Sequence, residues 1–387
     1  NTPEMMNGYE FVKLQQEIMG TEDFTNMYLK DGLTLEDYRN FKSYDWQKEI
    51  YRTALSHNHH VLLNGNAGDL KYSTSVSYNN QQGVIINSDL SRYQARVNLS
   101  QQFNKRLKVD ANANFASTVQ NGPNPSTNTS SMSTAFMYSV WAYRPVSPSG
   151  ADLMEEIYDT DIDMAEDYRF NPVLSAKNEY RKNTTNTLQA NLSAEYEIIK
   201  NLKFKVSAGY SSRDLKKEEF NGPNTRTGNS HPSNTQSKGI NAKLYQYEFT
   251  LTYQFNKNRH SMNALAGLSL QKNSDYAHSV ATEHISNESF GMAGLDKGTN
   301  QTIESNQGEN KMMSYFGRIN YNFDSRYYIT PSMRPHGSSK FPKNNRWGYF
   351  PSGSVAWAFG REAFISENAS WLSNGKLRIS YGQTGNN

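Results

Sequence analysis

The chain has no cysteine among its 387 residues, which removes disulfides and thiolate metal sites. It has no apolar run near the roughly 18 residues that a membrane-crossing helix needs. An excess of either charge is lacking as well. Lys and Arg number 40 against 37 Asp and Glu, and the net +3 is too small to imply a nucleic-acid partner. Phosphate-cradling glycine loops, a nucleophile elbow and a zinc-protease motif are all missing, so nothing reads as catalysis and no cofactor is implied. Hydrophobic residues make up only 36%, and mean hydropathy is -0.82. Those values would suit a water-soluble protein. A transmembrane β-barrel escapes that test, because only alternate residues of its strands meet lipid.

Aromatic residues are plentiful at 12%, led by 25 tyrosines. They fall in a pattern best seen from Met313 to Phe359. Met313, Tyr315, Gly317, Ile319, Tyr321 and Phe323 are apolar or small, and Ser314, Arg318, Asn320 and Asn322 between them are polar, with Phe316 the one exception. A period of two is a strand with one greasy face and one wet face. Asp324-Ser325-Arg326 then reads as a tight turn, after which Tyr327, Ile329 and Met333 resume the greasy face. Tyr321, Phe323 and Tyr327 crowd the turn end and Tyr315 lies near the other. Amphipathic rings at both edges of an apolar band are what a membrane-spanning strand needs.

The same alternation recurs from residue 57 onward. Strands are expected at 58–64, 71–80, 92–103, 107–116, 187–197, 202–211, 242–255, 261–271, 313–323, 327–334, 348–359 and 377–382. Many reach the roughly 9–11 residues that cross a bilayer when tilted. Their connections alternate short (65–70, 104–106, 198–201, 256–260, 324–326) and long (81–91, 117–186, 212–241, 272–312, 335–347). An up-and-down antiparallel barrel inserted in one direction has that order, and a soluble Greek-key sandwich has no reason to keep it. The long connections are polar and are expected to be external, without a packed core. Pro331 inside a strand cannot donate to the ladder, so a bulge or local bend is expected there.

Residues 1–55 differ in kind. Phe11, Leu14 and Ile18 recur at helical spacing and Gly20 is a stop signal, so short helices and loop are expected, leading into the barrel unit of 56–387. The chain opens on Asn1 and ends just after a strand pattern begins, which reads as an internal piece of a longer protein.

Five runs then identify a family. They are Asp45-Trp46-Gln47 with Glu49-Ile50-Tyr51-Arg52-Thr53-Ala54; Asn79 with Gln82-Gly83-Val84-Ile85-Ile86-Asn87-Ser88; Arg334 with Gly337-Ser338-Ser339-Lys340-Phe341; Asn345-Arg346-Trp347-Gly348-Tyr349-Phe350-Pro351-Ser352; and Leu377-Arg378-Ile379-Ser380-Tyr381-Gly382-Gln383-Thr384-Gly385-Asn386. In this order they resemble the SusC/RagA-type TonB-dependent outer-membrane transporters of Bacteroidetes-like bacteria. The resemblance implies a barrel of about 22 strands with a plugged lumen. This chain would supply the segment following the plug and about twelve strands. It also implies a location in the outer membrane of a Gram-negative cell, surrounded by lipid. TonB acting on the plug and a SusD-like surface lipoprotein are the implied partners, and import of oligosaccharides, or of peptides, is the implied activity. One departure is local: the family usually has Ala-Asp before Gly-Ser-Ser, and here Pro335-His336 stands there.

Candidate site residues follow. Trp141 and Tyr143 in the longest connection and Trp347 and Tyr349 beside another carry rings that could stack on a solute or fill loop cores. Arg318 belongs to a mixed polar wall with Arg92, Arg96, Lys108, Asp110, Asn112 and Asn320, which suits a neutral, hydroxyl-rich solute or a peptide. Asp159-Thr160-Asp161-Ile162-Asp163 opens like a calcium loop, but Met164 and Phe170 stand where Gly and Glu are needed, so it reads as a solvated acidic loop. His57, His59 and His60 have no carboxylate or thiolate beside them and read as a polar strand edge. Ser373-Asn374-Gly375-Lys376 has serine–lysine spacing without the companion motifs of that enzyme class. The competing readings are a passive porin and a soluble β-rich adhesin or carbohydrate-binding protein.

Overall fold

The computed structural model describes residues 3–123, 136–157, 170–225, 233–367, 371–372 and 374–385. Twelve strands form one sheet in sequence order, each antiparallel to the next. They are β1 (Ser56–Ala67), β2 (Leu70–Gln82), β3 (Asp89–Gln102), β4 (Leu107–Asn121), β5 (Tyr180–Ile199), β6 (Leu202–Asn221), β7 (Asn234–Lys257), β8 (His260–Glu283), β9 (Thr299–Phe323), β10 (Tyr327–Ser338), β11 (Trp347–Trp357) and β12 (Leu377–Gly382). The expected all-β, up-and-down architecture is therefore present, strand for strand.

Turn chemistry fixes one end of the sheet. Gly68, Asn201, Asn258, Asp324 and Ser325 all adopt positive φ in the short connections. Gly, Asn and Asp tolerate that region at low cost, so the chain reverses there within a few residues. At the same end Glu362 accepts hydrogen bonds from the Tyr327 hydroxyl at 2.6 Å, Trp357 Nε1 at 2.9 Å and Arg326 Nη1 at 3.0 Å. The Tyr327 and Trp357 bonds hold its carboxyl below the usual range.

The apolar faces have no second layer of protein over them. Val61 is 72% exposed, Leu192 54%, Ile319 44% and Ile379 65%. A sandwich would bury these side chains; a membrane wall presents them to lipid. From Phe323 to Met313 the outward row of β9 covers about 33 Å along the strand, or about 25 Å of height at a ~40° tilt, which matches the apolar band of an outer-membrane barrel.

Three expectations need correction. The strands run past the band: β7, β8 and β9 are 24, 24 and 25 residues long, so much of 212–241 and 272–312 is ladder. Outside lipid both faces can be polar, and the alternation that betrays a strand disappears. Pro331 makes no bulge either. Pairing of β10 with β9 keeps one register from Tyr327–Phe323 through Gly337–Met313, with pairs missing only around Pro331 and Pro335. The register shifts lie instead between Glu197 and Ile199 and between Ala281 and Glu283.

The third correction concerns the long connection 122–179. Its described parts do pack a core. Helices α4 (Phe136–Ala142) and α5 (Pro172–Asn178) close with α3 (Trp46–Ile50) over Trp46, Ile50, Phe136, Val140, Tyr143, Leu153 and Ala176. A second cluster joins Val146 to Val12, Phe24, Tyr28 and Tyr38 of the N-terminal region. There α1 (Gly8–Ile18) starts with an Asn7–Glu10 capping box, and Gly20 caps α2 (Thr21–Tyr28). Ile18, placed on the packing stripe by its spacing, is 66% exposed; Val12 takes that role. Ser56 pairs with Gln81, so this helical cap sits at the end of the sheet where the long connections emerge.

Candidate solute-binding wall

Within the apolar band, period-two alternation puts most polar residues of the sheet on the opposite face. Across β4 to β6 that wall is paired internally. Lys108 lies 2.9 Å from Asp110 and Lys203 2.8 Å from Glu195, and Asn191 donates to Asn112 at 3.0 Å. These pairs neutralise one another and leave a hydrophilic, charge-balanced surface. Arg92, Arg96 and Arg318 have no carboxylate partner among the described residues.

One polar concavity lies on β9 to β11, near the long connections. It has a volume of about 550 Å³ and its walls include Ser332, Arg334, His336, Phe350, Ser352 and Gln383. The Arg334 guanidinium stands 5.5 Å over the Phe316 ring. His336 Nδ1 is 2.7 Å from the hydroxyl of Ser314, which is fully buried, and its ring meets Phe350 edge-on at 5.5 Å. Phe316 reaches across the neighbouring strand at Gly267, where a Cβ would sit 2.3 Å from the ring, so only glycine leaves it room. A planar cation, an imidazole, hydroxyls and two ring faces on one wall can hydrogen-bond and stack on a polar solute at once.

Sequence reasoning missed Phe316, Arg334, His336 and Phe350 as a group. The available signal was parity: Phe316 is the aromatic that breaks the alternation, and Phe350 also sits on the wet face. Of the residues singled out beforehand, Arg318 is exposed on the polar wall. Trp141 is 48% exposed on α4. Tyr143 is corrected, and Trp347 and Tyr349 lie on the outer face, with Trp347 also bordering the concavity. Tyr143 is 3% exposed and packs on Trp46 at 5.2 Å, so its ring is core. Trp347 and Tyr349 pair with Gly337 and Pro335 on the apolar face, where Trp347 stacks on Tyr315 at 6.0 Å. They belong to the outer aromatic row. Asp159 to Asp163 and Ser373 lie outside the described residues. His57 and His59 stand 5.5 Å apart beside Tyr78, and among the described residues no three His, Asp or Glu side chains converge on a metal position.

No family model matches the chain. Curated proteins do. TonB-dependent receptor P3 of Formosa agariphila is 31% identical over 348 residues, covering 88% of this chain and 34% of the relative. TonB-dependent receptor SusC of Bacteroides thetaiotaomicron is 29% identical over 371 residues, covering 88% and 35%. The solved RagAB peptide transporter superposes with a TM-score of 0.77 over 100% of this chain and 46% of that one; at 21% identity the likeness is one of fold. An oily-outside, wet-inside wall with these relatives defines a TonB-dependent outer-membrane receptor. The chain belongs to the SusC/RagA type of that family. It spans about a third of the length of these curated relatives.

Proposed function

We propose that the chain forms part of the wall of an outer-membrane importer that takes up oligosaccharides, or peptides, with energy supplied through TonB and with a SusD-like lipoprotein on the outside. The observation that carries this reading is the polar wall. It carries internal ion pairs at Lys108–Asp110 and Lys203–Glu195, and one of its concavities joins Arg334, His336 and Ser332 to the Phe350 ring, with Arg334 standing over the neighbouring Phe316 ring. That combination suits hydroxyl-rich or amide-rich solutes and offers little to a free metal ion. Arg318 lies lower on the same wall and Trp141 on the cap, and both are assigned to the solute path. The cap formed by the described residues 3–55, 136–157 and 170–178 stands at the long-connection end of the sheet, and its role in this reading is to cover the external mouth.

The test is uptake by cells carrying the full-length transporter, with labelled oligosaccharides and labelled peptides offered in parallel. Uptake of one class is expected, abolished when TonB is absent. Arg334→Gln with Phe316→Ala should lower it about tenfold, through the lost stacking and hydrogen bonds. Uptake that persists without TonB would make the protein a passive pore. Release of the protein from cells without detergent would remove it from the membrane altogether.

A further inference from the structure

A groove of about 510 Å³ lies on the outward, apolar face of β7 to β11, where the band ends toward the long connections. Its lower row runs Tyr247, Leu270, Met313, Gly337 and Trp347, each in register with the next. Gly337 is its floor: a Cβ there would lie 3.0 Å from the Trp347 ring. The row above is different in kind. Tyr245 pairs with Lys272 and Lys272 with Lys311, and Arg346 closes the rim. Glu309 lies 2.8 Å from Lys272 and 3.1 Å from Lys311, so one carboxylate is shared between two ammonium groups. The adjoining connection 339–346 adds Lys340 and Lys343 and contains no carboxylate. Net positive charge therefore stands directly above an apolar slot, on a face turned away from the solute path.

An occupant must bring an acyl chain and an anion, spaced so that the anion rides at the upper edge of the apolar band. A second copy of this chain does not: Glu309, the carboxylate at this rim, is already engaged. We propose that the groove binds a phosphorylated glycolipid of the outer leaflet, one acyl chain lying on Leu270, Met313 and Trp347 and the phosphate held by Lys272, Lys311 and Arg346. This rests on the outer-membrane placement argued above, but not on the transported solute or on TonB.

The test uses the full-length transporter purified in detergent from outer membranes. Bound lipid is measured by native mass spectrometry, before and after addition of a bisphosphorylated acylated glucosamine disaccharide or its dephosphorylated counterpart. The wild type is expected to retain the phosphorylated form. A variant carrying Lys272→Gln, Lys311→Gln and Arg346→Gln should bind it on the order of 100-fold more weakly, at about one favourable contact per cation. A control carrying Lys105→Gln, Lys200→Gln and Lys257→Gln, at the short-turn end, should bind it like the wild type. Equal binding by wild type and rim variant, equal loss in rim variant and control, or no preference for the phosphorylated lipid would each overturn the proposal. So would a dimer lost in the rim variant with lipid content unchanged, which would assign the groove to a protein contact. Each outcome is read on protein already extracted from the membrane, so failure of the site is distinct from failure of the membrane placement.

Discussion

Placing arginine on successive faces of one strand tests the membrane reading directly. Ala266 of β8 points outward between Leu251 and Gly317, and Asn263 points to the polar wall between Gln254 and Asn320. Ala266 is four residues from Met262 and six from Lys272, the residues bounding the apolar row on β8. At about 3.3 Å per residue and a ~40° tilt those intervals are roughly 10 and 15 Å of depth, farther than an arginine side chain extends. Ala266→Arg therefore cannot bring its guanidinium to either interface without thinning the bilayer. The cost near the midplane is about 2–4 kcal/mol. Asn263→Arg adds the same group to a wet face that already holds Arg318, and should cost well under 1 kcal/mol, as surface substitutions do. The assay is the midpoint of urea unfolding of the full-length protein in lipid vesicles, with the folded fraction read from the gel shift between unheated and boiled samples. Equal midpoints for the two variants would refute the assignment of faces, because a layer of protein or water over Ala266 would treat both arginines alike.

Other perturbations probe the cap and the ladder. Trp46 is 1% exposed, stacks on Tyr44 at 4.9 Å and donates its Nε1–H to the Arg144 carbonyl at 2.9 Å, so Trp46→Ala should cost the cap about 3–5 kcal/mol and open residues 136–157 to limited proteolysis while the strands stay protected. Pro331→Val restores a donor to the edge β10 shares with β9 and should raise the unfolding free energy by about 0.5–1.5 kcal/mol in the same urea assay. Asp152 accepts from the Tyr44 hydroxyl and lies 2.9 Å from Lys42 Nζ, and these hold its carboxyl down to about 2. Its folded value lies below its ordinary 3.8, so the tie is complete above that pH and is lost as pH falls from about 4 toward 2. Trp46 fluorescence should report a loosening in that window, and Asp152→Asn should remove the step.

The wall was legible because its signal is local. A side chain's face follows from its parity, and lipid on one side keeps that parity clean from Tyr93 to Phe103 and from Met262 to Leu270. Where the strands leave the lipid, the signal fades. Ser305-Asn306-Gln307-Gly308-Glu309-Asn310 is polar on both faces, so nothing in it distinguishes ladder from loop, and only pairing with β8 shows that it is strand. The cap core was hidden for a related reason. Phe136, Val140 and Tyr143 have helical spacing, but they lie in a long connection whose average character is polar, and their partners Trp46 and Ile50 are far away in sequence. The binding wall was half visible: Phe316 could be seen to break the alternation, but its meaning depends on Arg334 and Phe350 arriving beside it through register. Trp347 and Tyr349 were ambiguous because aromatic residues near a loop suit either face of a strand.

The two regions are held together by different physics. The sheet buries almost none of its apolar face against protein, so its cohesion comes from backbone hydrogen bonds that lipid makes obligatory. The cap has what the sheet lacks, a dry core around Trp46, Tyr38 and Val140. That core ties residues 3–55 to 136–157 through the Tyr44 amide on the Pro145 carbonyl and the Tyr38 hydroxyl on the Pro148 carbonyl. Because Ser56 enters β1 from the long-connection end, and Tyr51 bridges to Ile85 there, both partners of the cap stand at that end of the sheet. The cap can therefore change shape without breaking the ladder, while the wall cannot change shape without exposing unpaired backbone to hydrocarbon. The two regions therefore differ in how freely they can rearrange: the cap by repacking a protein core, the wall only by breaking its ladder.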